Sequence, residues 1–395
     1  MPYESTSAFR GLNNKTDPMR LDLGWLVQGD NVDVTDTGGL AARGGYSLGL
    51  SLAGLRSAYT TIDFDRMYVA QGGSLKAVVG AASTLSAVNL AALASTARMH
   101  WTEINEQVFF NNGTDTGIIM QDGEVIEWAW PVPPAPSLVA VSGSLDAGQY
   151  QVSVTYTLPD GRMTGSSDPA TITLEENQAL QISGIAQRAG CATNVFICPA
   201  NSTVYGLAAS RAPAAMVWNA SADNLGYELM FAGLDPMPQG CEVIQAWKGR
   251  IYASRYFPDR DQSAVFRSQP LGFHLFNLEE VFMVPGHVLM MAPHDEALIV
   301  ATDNAVHAYT VDAIARLAPY GVVPGRCWEH DEDDRTIKFW TTRGLCEALP
   351  FKNLTDKYVS VAPGASAGGT IQRTGGQKRF LAVLQQGGSA FNDIN

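Results

Sequence analysis

Short β-prone runs recur along the chain at a nearly regular spacing, and this repeat is the feature that most constrains the fold. Each run follows a turn-like segment such as Asp-Phe-Asp-Arg or Asn-Glu-Gln. Successive starts are 41, 143, 47, 39 and 43 residues apart, at Met67, Val108, Ile251, Leu298, Ile337 and Phe380. Four of these intervals match a four-stranded propeller blade of roughly 40–50 residues. The pattern therefore predicts an all-β chain, a β-propeller of about six blades.

The interval of 143 residues holds one such period and about 100 further residues of different character. Residues 131–136 (PVPPAP) predict a stiff, extended linker, because proline fixes φ and lacks an N–H. Beyond them, apolar and polar residues alternate over 149–156, and Asp160-Gly161 is typical of a hairpin turn. Strand-like segments follow at 170–174, 180–182 and 194–197. We therefore expect an inserted sandwich of the immunoglobulin or fibronectin type III kind.

These patterns divide the chain into four predicted parts. They are an N-terminal arm with a closing strand (1–50), a first propeller part (51–132), the inserted sandwich (133–238) and a second propeller part (239–395). The β-prone residues 31–35 are expected to complete the last blade. The arm at 1–30 has few apolar residues, so we expect it to become ordered only against a partner. Helical signals are weak: residues 85–99 read as a helix or a loop, and 311–317 as two helical turns.

Charge and composition exclude several classes of protein. The 395 residues carry 26 Lys and Arg against 39 Asp and Glu, a net charge of -13, which argues against affinity for DNA phosphates or anionic membranes. Hydrophobic residues make up 46% of the chain, enough for a large core. No window of about 18 apolar residues occurs, so no membrane insertion is expected. The first residues lack the charged and apolar regions of a secretory signal, so export is not expected.

Five cysteines occur, at positions 191, 198, 241, 327 and 346. Their number is odd and their spacing is wide, and no CxxC pair suggests a zinc framework. We expect reduced, mostly buried thiols. A disulfide between Cys191 and Cys198 remains an alternative, since the two could lie on paired strands.

Three groups of segments resemble bacteriophage virion proteins that carry a propeller. The opening FRGLNN (9–14) is followed by NVDVTDTGGL (31–40) and RGGY (43–46), similar to the G-[LI]-N and N-V-D … G … L … R-x-G segments that precede the first blade in that group. Residues 247–252 (WKGRIY), with VFRSQP (265–270) and Phe273, are similar to a blade of the same group. The predicted insert resembles phage insert domains. The resemblance covers most of the chain and implies a tail nozzle, of the kind also named tail tubular protein B, or a related hub component.

The acidic run 329–334 is the densest charge in the sequence. Three interpretations are open: a solvated loop tip between blade strands, a calcium site of carboxylate oxygens, or a ring of negative charge around a channel after assembly. The run lacks the glycine and terminal glutamate of an EF-hand loop. The candidate channel or loop residues are Glu329, Asp331, Glu332, Asp333 and Asp334.

Other chemistry is weakly indicated. The six histidines form no HxH or HExxH pattern, so we expect ordinary surface or turn residues, even for the three that lie near one another at positions 287, 294 and 307. The Gly-Gly pairs lack the helix and lysine of a phosphate-binding loop. A glycosidase would need two converging carboxylates, for which Asp65, Asp303 and Glu347 are the candidates. We expect no catalytic residues, no bound metal and no cofactor.

Three functional hypotheses from different classes follow. The resemblance implies a structural protein of the virion tail, made in the host cytoplasm, that forms a homo-oligomeric ring, a hexamer by family analogy. Such a ring would contact the tail adaptor and neighbouring tail proteins and enclose a channel that genomic DNA crosses only in passing. The second hypothesis is a binding module for a host glycan or another tail protein, with Trp218 and Tyr227 as candidate exposed aromatics. The third is a propeller hydrolase.

Overall fold

The computed structural model describes residues 8–35, 37–81, 84–374 and 377–386. Strands make up 49% of the chain and helix only 2%, so the predicted all-β class is confirmed. The strands form many small sheets, most of them antiparallel and joined by tight turns. The described helices are three short 3-10 turns, at Pro18–Arg20, Ala222–Asn224 and Pro258–Arg260.

The strands are numbered in chain order. The N-terminal region holds β1 (Gly11–Leu12), β2 (Trp25–Leu26), β3 (Val32–Val34) and β4 (Leu40–Ala42). Sheet 1 contains β5 (Leu55–Thr60), β6 (Met67–Gln71), β7 (Ser74–Val79) and β8 (Ser86–Ala92). Sheet 2 contains β9 (His100–Ile104), β10 (Gln107–Asn111), β11 (Thr116–Ile119) and β12 (Val125–Ile126). The insert contains β13 (Ser137–Leu145), β14 (Gly148–Thr157), β15 (Ala170–Leu174), β16 (Gln178–Ser183), β17 (Ala192–Cys198), β18 (Gly206–Ala209) and β19 (Ala215–Trp218).

The second half of the chain repeats the same plan. Sheet 3 contains β20 (Val243–Trp247), β21 (Arg250–Phe257), β22 (Gln262–Ser268) and β23 (Phe276–Pro285). Sheet 4 contains β24 (Val288–Pro293), β25 (Leu298–Thr302), β26 (Val306–Tyr309) and β27 (Ile314–Ala318). Sheet 5 contains β28 (Trp328–Asp331), β29 (Thr336–Thr341), β30 (Gly344–Ala348) and β31 (Lys352–Asn353). A C-terminal hairpin follows, β32 (Ser366–Thr374) and β33 (Gln377–Gln385).

Sheets 1 to 5 are antiparallel meanders in which the strands follow one another in sequence order. The first five runs that define the sequence repeat lie in the second strands of these sheets, and the sixth run lies in β33 of the C-terminal hairpin. The repeat in the sequence is thus a repeat in the structure. In the described residues its sixth unit is a two-stranded hairpin rather than a four-stranded sheet.

Local turn chemistry explains why the chain reverses where it does. The β9–β10 connection is Asn105-Glu106, with φ of 52° and 61°, and the β20–β21 connection is Lys248-Gly249, with φ of 46° and 72°. Two successive residues with positive φ are the signature of a type I′ turn, whose twist matches that of paired strands. Asn and Gly adopt this conformation at the lowest cost.

Neighbouring sheets bury their apolar side chains against one another. One core joins sheets 1 and 2, a second joins sheets 2 and 3, and a third joins sheets 3 and 4. The fourth joins sheets 4 and 5 and takes in Ala367 of the hairpin. The second strands of the sheets are buried on both faces, as in the fully buried β25. This double burial explains why these strands are nearly continuous apolar runs in the sequence.

The insert has a core of its own. Its strands form two sheets, in the orders β13-β16-β19 and β15-β14-β17-β18, which enclose side chains from both, including Val154 and Ile182. The predicted strands of this region are confirmed in position. The insert contacts sheet 3 through His274, whose Nε2 lies 2.9 Å from the carbonyl oxygen of Met163.

Both helix candidates are wrong as helices. The segment 85–99 contains the strand β8, which pairs with β7, and 311–317 contains most of β27, which pairs with β26. Each is the outermost strand of its meander. The cross-strand hydrogen bonds and side-chain packing of the sheet outweigh the weak helix propensity of a stretch rich in Ala and Leu.

The N-terminal region packs against the chain's own C-terminal part, so the expectation that it orders only against a partner is wrong for residues 8–30. The ring of Trp25 lies 4.5 Å from that of Tyr358, and Asn14 exchanges hydrogen bonds with Ser360. The predicted closing strand forms a separate hairpin instead, because β3 pairs with β4. It meets the C-terminal hairpin through side chains, with Asp33 3.1 Å from the Arg379 guanidinium. Residues 1–7 lie outside the described residues.

All five cysteines are free thiols, so the alternative of a disulfide between Cys191 and Cys198 is wrong. Four of the five are buried, as expected.

Candidate functional site

The acidic run lies at the junction of β28 and β29, where the chain turns between the first two strands of sheet 5. Glu332, Asp333 and Asp334 are exposed in this turn, as a loop tip would be. Asp331 is the last residue of β28 and is completely buried. The run therefore combines a solvated tip with a buried carboxylate, which the sequence pattern did not distinguish.

Basic side chains surround the buried carboxylate of Asp331. Lys338 of the neighbouring strand forms an ion pair with its Oδ2. From the C-terminal hairpin, Lys378 Nζ lies 2.8 Å from Oδ2 and Arg373 Nη2 lies 3.6 Å from Oδ1. Lys338 and Lys378 also contact Asp334, at 2.9 and 2.8 Å. Three cations from two sheets thus converge on this acidic group.

These contacts shift the ionisation of the cluster. Burial on its own raises the pKa of Asp331, but hydrogen bonds from Lys338 and Lys378 outweigh it and hold the pKa well below its usual range. Hydrogen bonds from the same lysines lower the pKa of Asp334. The carboxylates in turn raise the pKa of Lys378. The cluster therefore carries paired opposite charges at neutral pH.

This pairing bears on the interpretations of the acidic run. The oxygens that a calcium ion would need are engaged by ammonium and guanidinium groups, and Glu329 lies 3.8 Å from Arg326. Within the described residues, no group of three or more His, Cys, Asp or Glu side chains is arranged to hold a metal ion. The cluster therefore has a structural role, because its ion pairs link the C-terminal hairpin to sheet 5.

The three candidate glycosidase carboxylates lie apart. Asp65 pairs with Arg66 in the turn between β5 and β6, and Asp303 accepts a hydrogen bond from the His287 backbone N–H beside sheet 4. Glu347 lies in sheet 5, 3.9 Å from Lys338. The structure therefore places each of them with a separate partner rather than in one pair.

The three histidines close in sequence also go to separate places. His287 Nε2 lies 2.9 Å from Glu242 Oε2, and its ring stacks on Tyr256 at 4.4 Å. The bond to Glu242 raises the pKa of His287. His294 lies against the carbonyl oxygen of Arg335, and burial lowers the pKa of His307 in β26. The Glu242–His287 contact between sheets 3 and 4 was not anticipated from the sequence, since the two positions are 45 residues apart.

Sequence reasoning also missed the segment GASAG at residues 364–368, which matches the G-x-S-x-G motif of a hydrolase nucleophile elbow. Such an elbow needs a sharp turn from a strand into a helix. Here Ser366 is the first residue of strand β32, and its Oγ donates to Gln385 Oε1 at 2.9 Å. The local structure therefore gives this serine the role of a hairpin residue.

A cavity of about 40 Å³ lies where the first strands of all five sheets meet. Each of β5, β9, β20, β24 and β28, or the residues just before it, contributes to the lining. Its polar lining comprises Ser57, Arg98, His100, Gln245 and Arg326. Burial and the positive charge of Arg98 lower the pKa of His100 to about 4, so that this imidazole is neutral at pH 7.

The two candidate aromatics of the insert differ in exposure. Trp218 is 6% exposed and packs against Tyr150, with ring centroids 6.1 Å apart. Tyr227 is 56% exposed and rests on Phe196 by one edge. Only Tyr227 of this pair is available to a ligand. Across the part of the chain that the structure covers, no helix is long and apolar enough to cross a membrane.

Comparisons with known proteins give distant likenesses. No protein-family model matches the chain, and no curated protein matches it. One similar solved structure is the extracellular domain of the hybrid two component system BT4673 from B. thetaiotaomicron, at 10% identity and a TM-score of 0.30, with 78% of this chain covered. Another is PorZ, a surface component of the type-IX secretion system of Porphyromonas gingivalis, at 12% identity and a TM-score of 0.25, with 89% covered. The chain spans about a third of the first of these proteins and about half of the second.

Proposed function

We propose that this protein is a structural component of a bacteriophage tail, a nozzle or hub subunit that assembles into a homo-oligomeric ring around the channel for DNA ejection. The observation that carries the proposal is the arrangement of five four-stranded meanders about one cavity, with a separate two-sheet unit inserted between sheets 2 and 3. We interpret the five sheets and the hairpin as a propeller and the insert as its immunoglobulin-like arm.

The residues that carry the sequence resemblance have architectural tasks, which supports this proposal. Trp247 donates from Nε1 to the carbonyl oxygen of His294 at 2.7 Å and so links sheet 3 to sheet 4. Gly249 takes the left-handed position of the β20–β21 turn, and Arg250 donates to the carbonyl oxygen of Ser268. Residues that hold sheets together are what a mechanical subunit needs.

The outer strands offer surfaces for contacts between copies. Val88 in β8, Met283 in β23 and Ile314 in β27 are exposed apolar residues on the last strands of their sheets. A neighbouring copy that covers such strands would remove both apolar surface and unpaired sheet edges from water. Head-to-tail contacts of this kind generate a ring when the rotation closes.

The expected channel has an acidic wall. The chain carries a net charge of -13, and a wall of that sign would repel phosphates and let DNA pass without adhesion. The buried pairing of Asp331 removes that residue from such a wall, and Asp333 and Asp334 pair with basic side chains of the cluster. The exposed Glu332 is therefore the strongest candidate of the run for such a wall.

Native mass spectrometry and cryo-electron microscopy of the full chain test this proposal. We expect a closed ring of six copies at high protein concentration, and its loss in Met283→Asp. Val217→Asp, an exposed position on the insert, is the matched control and should leave the ring intact. A protein that stays monomeric at every concentration would contradict a ring built by this chain alone.

A second candidate function is a binding module, and the exposure of Tyr227 favours it. Met230 lies nearby in sequence and is also exposed, so the insert presents apolar surface to solvent. Sugar rings stack on exposed aromatic faces of this kind. Glycan-array binding by the full chain that is lost in Tyr227→Ala and kept in Val217→Ala would support this function over the first.

A further inference from the structure

The lining of the central cavity is basic in an otherwise acidic protein. Of its fifteen lining residues, two are arginines, Arg98 and Arg326, and none is acidic. Ser57, His100 and Gln245 add neutral hydrogen-bonding groups, and Trp101 and Trp328 bring aromatic rings. A cavity with donors and positive charge is complementary to an anion.

Arg98 has no counter-ion among the residues that the structure describes. It is half-buried, and no ion pair or hydrogen bond of its side chain is found within residues 8–35, 37–81, 84–374 and 377–386. The thiol of Cys327 is near, but burial raises its pKa to about 11, so it is uncharged at pH 7. Burial lowers the pKa of Arg98, and the charge of Arg326 lowers it further. A negative charge in the cavity would stabilise the charged form of Arg98 and so offset both effects on its pKa.

Arg326 is the second cation of the cavity, and aromatic rings hold it in place. Its guanidinium carbon lies 5.4 Å from the ring centre of Tyr59 and 5.0 Å from that of Trp328. Glu329 is its ion-pair partner, at 3.8 Å from Nη2, which is longer than a hydrogen bond. Arg326 therefore retains donors for a second acceptor.

We propose that this cavity binds one small oxyanion, a phosphate or a carboxylate, between the guanidinium groups of Arg98 and Arg326. A guanidinium presents parallel N–H groups that match two oxygens of either anion. The volume of about 40 Å³ suits a few heavy atoms and excludes a nucleic-acid strand. The site lies within one chain and stands whether or not that chain forms a ring.

Because first strands of all five sheets line the cavity, a bound anion would link them at one point. Arg98 precedes β9 of sheet 2, and Arg326 precedes β28 of sheet 5. An anion held by both would connect two sheets that share no apolar core in the described residues. The expected consequence is a higher melting temperature in the presence of the anion.

Isothermal titration calorimetry of the full chain tests the site with two probes, inorganic phosphate and acetate, at constant ionic strength. We expect saturable binding of at least one probe, with one site per chain. Arg98→Gln should weaken it at least about tenfold. Arg20→Gln removes the same charge at an exposed position and should bind as the wild type does.

A third variant keeps the test decisive. Arg98→Lys keeps the positive charge but loses the parallel N–H groups of the guanidinium. We therefore expect it to bind the anion more weakly than the wild type and more strongly than Arg98→Gln. If Arg98→Gln does not fold, the anion affinities of Arg98→Lys and Arg20→Gln are compared instead, and weaker binding by Arg98→Lys supports the proposal. The proposal would be overturned if neither probe bound the wild type saturably. It would also be overturned if the Arg98 variants bound the probe with the same affinity as the wild type.

Discussion

Asp331 shows how a single residue can hold two distant parts of this chain together. Its carboxylate is completely buried, and Lys338 from sheet 5 and Lys378 from the C-terminal hairpin both reach it. Charge pairs away from water repay their desolvation only when the geometry is good and every partner is present. The cluster is therefore sensitive to the loss of any one member.

Asp331→Asn should destabilise the protein strongly. The change removes the buried negative charge that Lys338 and Lys378 share, while Asp334 still pairs with both lysines, so we expect a cost of about 1–3 kcal/mol. Urea unfolding followed by intrinsic fluorescence measures this loss. Glu332→Gln, one position further in the exposed turn, is the control and should change stability by less than about 0.5 kcal/mol. Equal stability of the two variants would show that the ion pairs are not needed.

The same carboxylate predicts a pH dependence. The pKa of Asp331 is lowered in the folded state from an unfolded value of about 3.9, so the stability it contributes is present above that value and is lost as the pH falls through the folded pKa. Between about pH 5 and pH 2, the wild type should therefore lose more stability than Asp331→Asn. Denaturation curves at several pH values measure the slopes. Parallel slopes for the two proteins would contradict the prediction.

At the scale of the element, the meander is the unit from which the larger structure is made. The second strand of each sheet is rich in apolar residues because both of its faces are largely covered, and such runs stand out in a sequence. The outer strands are half-exposed and their sequences resemble helices or loops, which explains why the sequence pattern predicts no strand at β8 or β27. Their pairing depends on neighbours that the local pattern does not contain.

Trp247 provides a test of the contact between two such elements. It is buried, donates to the carbonyl oxygen of His294, and packs between Tyr252 and Tyr309. Trp247→Ala should cost about 3–5 kcal/mol through the cavity it leaves between sheets 3 and 4. Thermal unfolding measures the effect, and Val217→Ala on the exposed face of the insert should be close to neutral. A small effect of Trp247→Ala would mean that the two sheets are held mainly by other contacts.

Site residues were harder to predict from the sequence than strands. The acidic run was visible, but its basic partners Arg373 and Lys378 are about 40 residues further on and come near only through the hairpin. The cavity arginines, Arg98 and Arg326, stand alone in sequence and meet only because the first strands converge. A local sequence pattern does not identify such residues, because their partners lie on another sheet and are distant in the sequence.

At the scale of the whole molecule, the chain contains two kinds of core. Sheets 1 to 5 share four cores in succession, whereas the insert has one of its own. The two parts touch through contacts such as Arg162 with the carbonyl oxygen of Glu127 and Arg188 over the ring of Trp130, and Met237 at the end of the insert joins the core of sheets 2 and 3. Elements that share cores unfold together, and a part with a separate core can unfold separately.

Calorimetry should accordingly show two thermal transitions. Ile197→Ala, in the buried centre of the insert, should lower one transition by about 2–5 kcal/mol in stability and leave the other in place. Asp331→Asn should lower the transition of the five sheets and leave the transition of the insert in place. A single transition that both variants shift equally would show that the insert and the sheets are one cooperative unit.

The alternation of faces along the second strands has a consequence for how such a chain can change in length. In β10, Val108 and Phe110 belong to the core between sheets 1 and 2, while Phe109 belongs to the core between sheets 2 and 3. Deleting one residue within this strand would exchange the two sets and disrupt both junctions at once. Growth and loss of sequence are therefore confined to the connections between sheets, and it is in one of these that the chain carries its extra hundred or so residues.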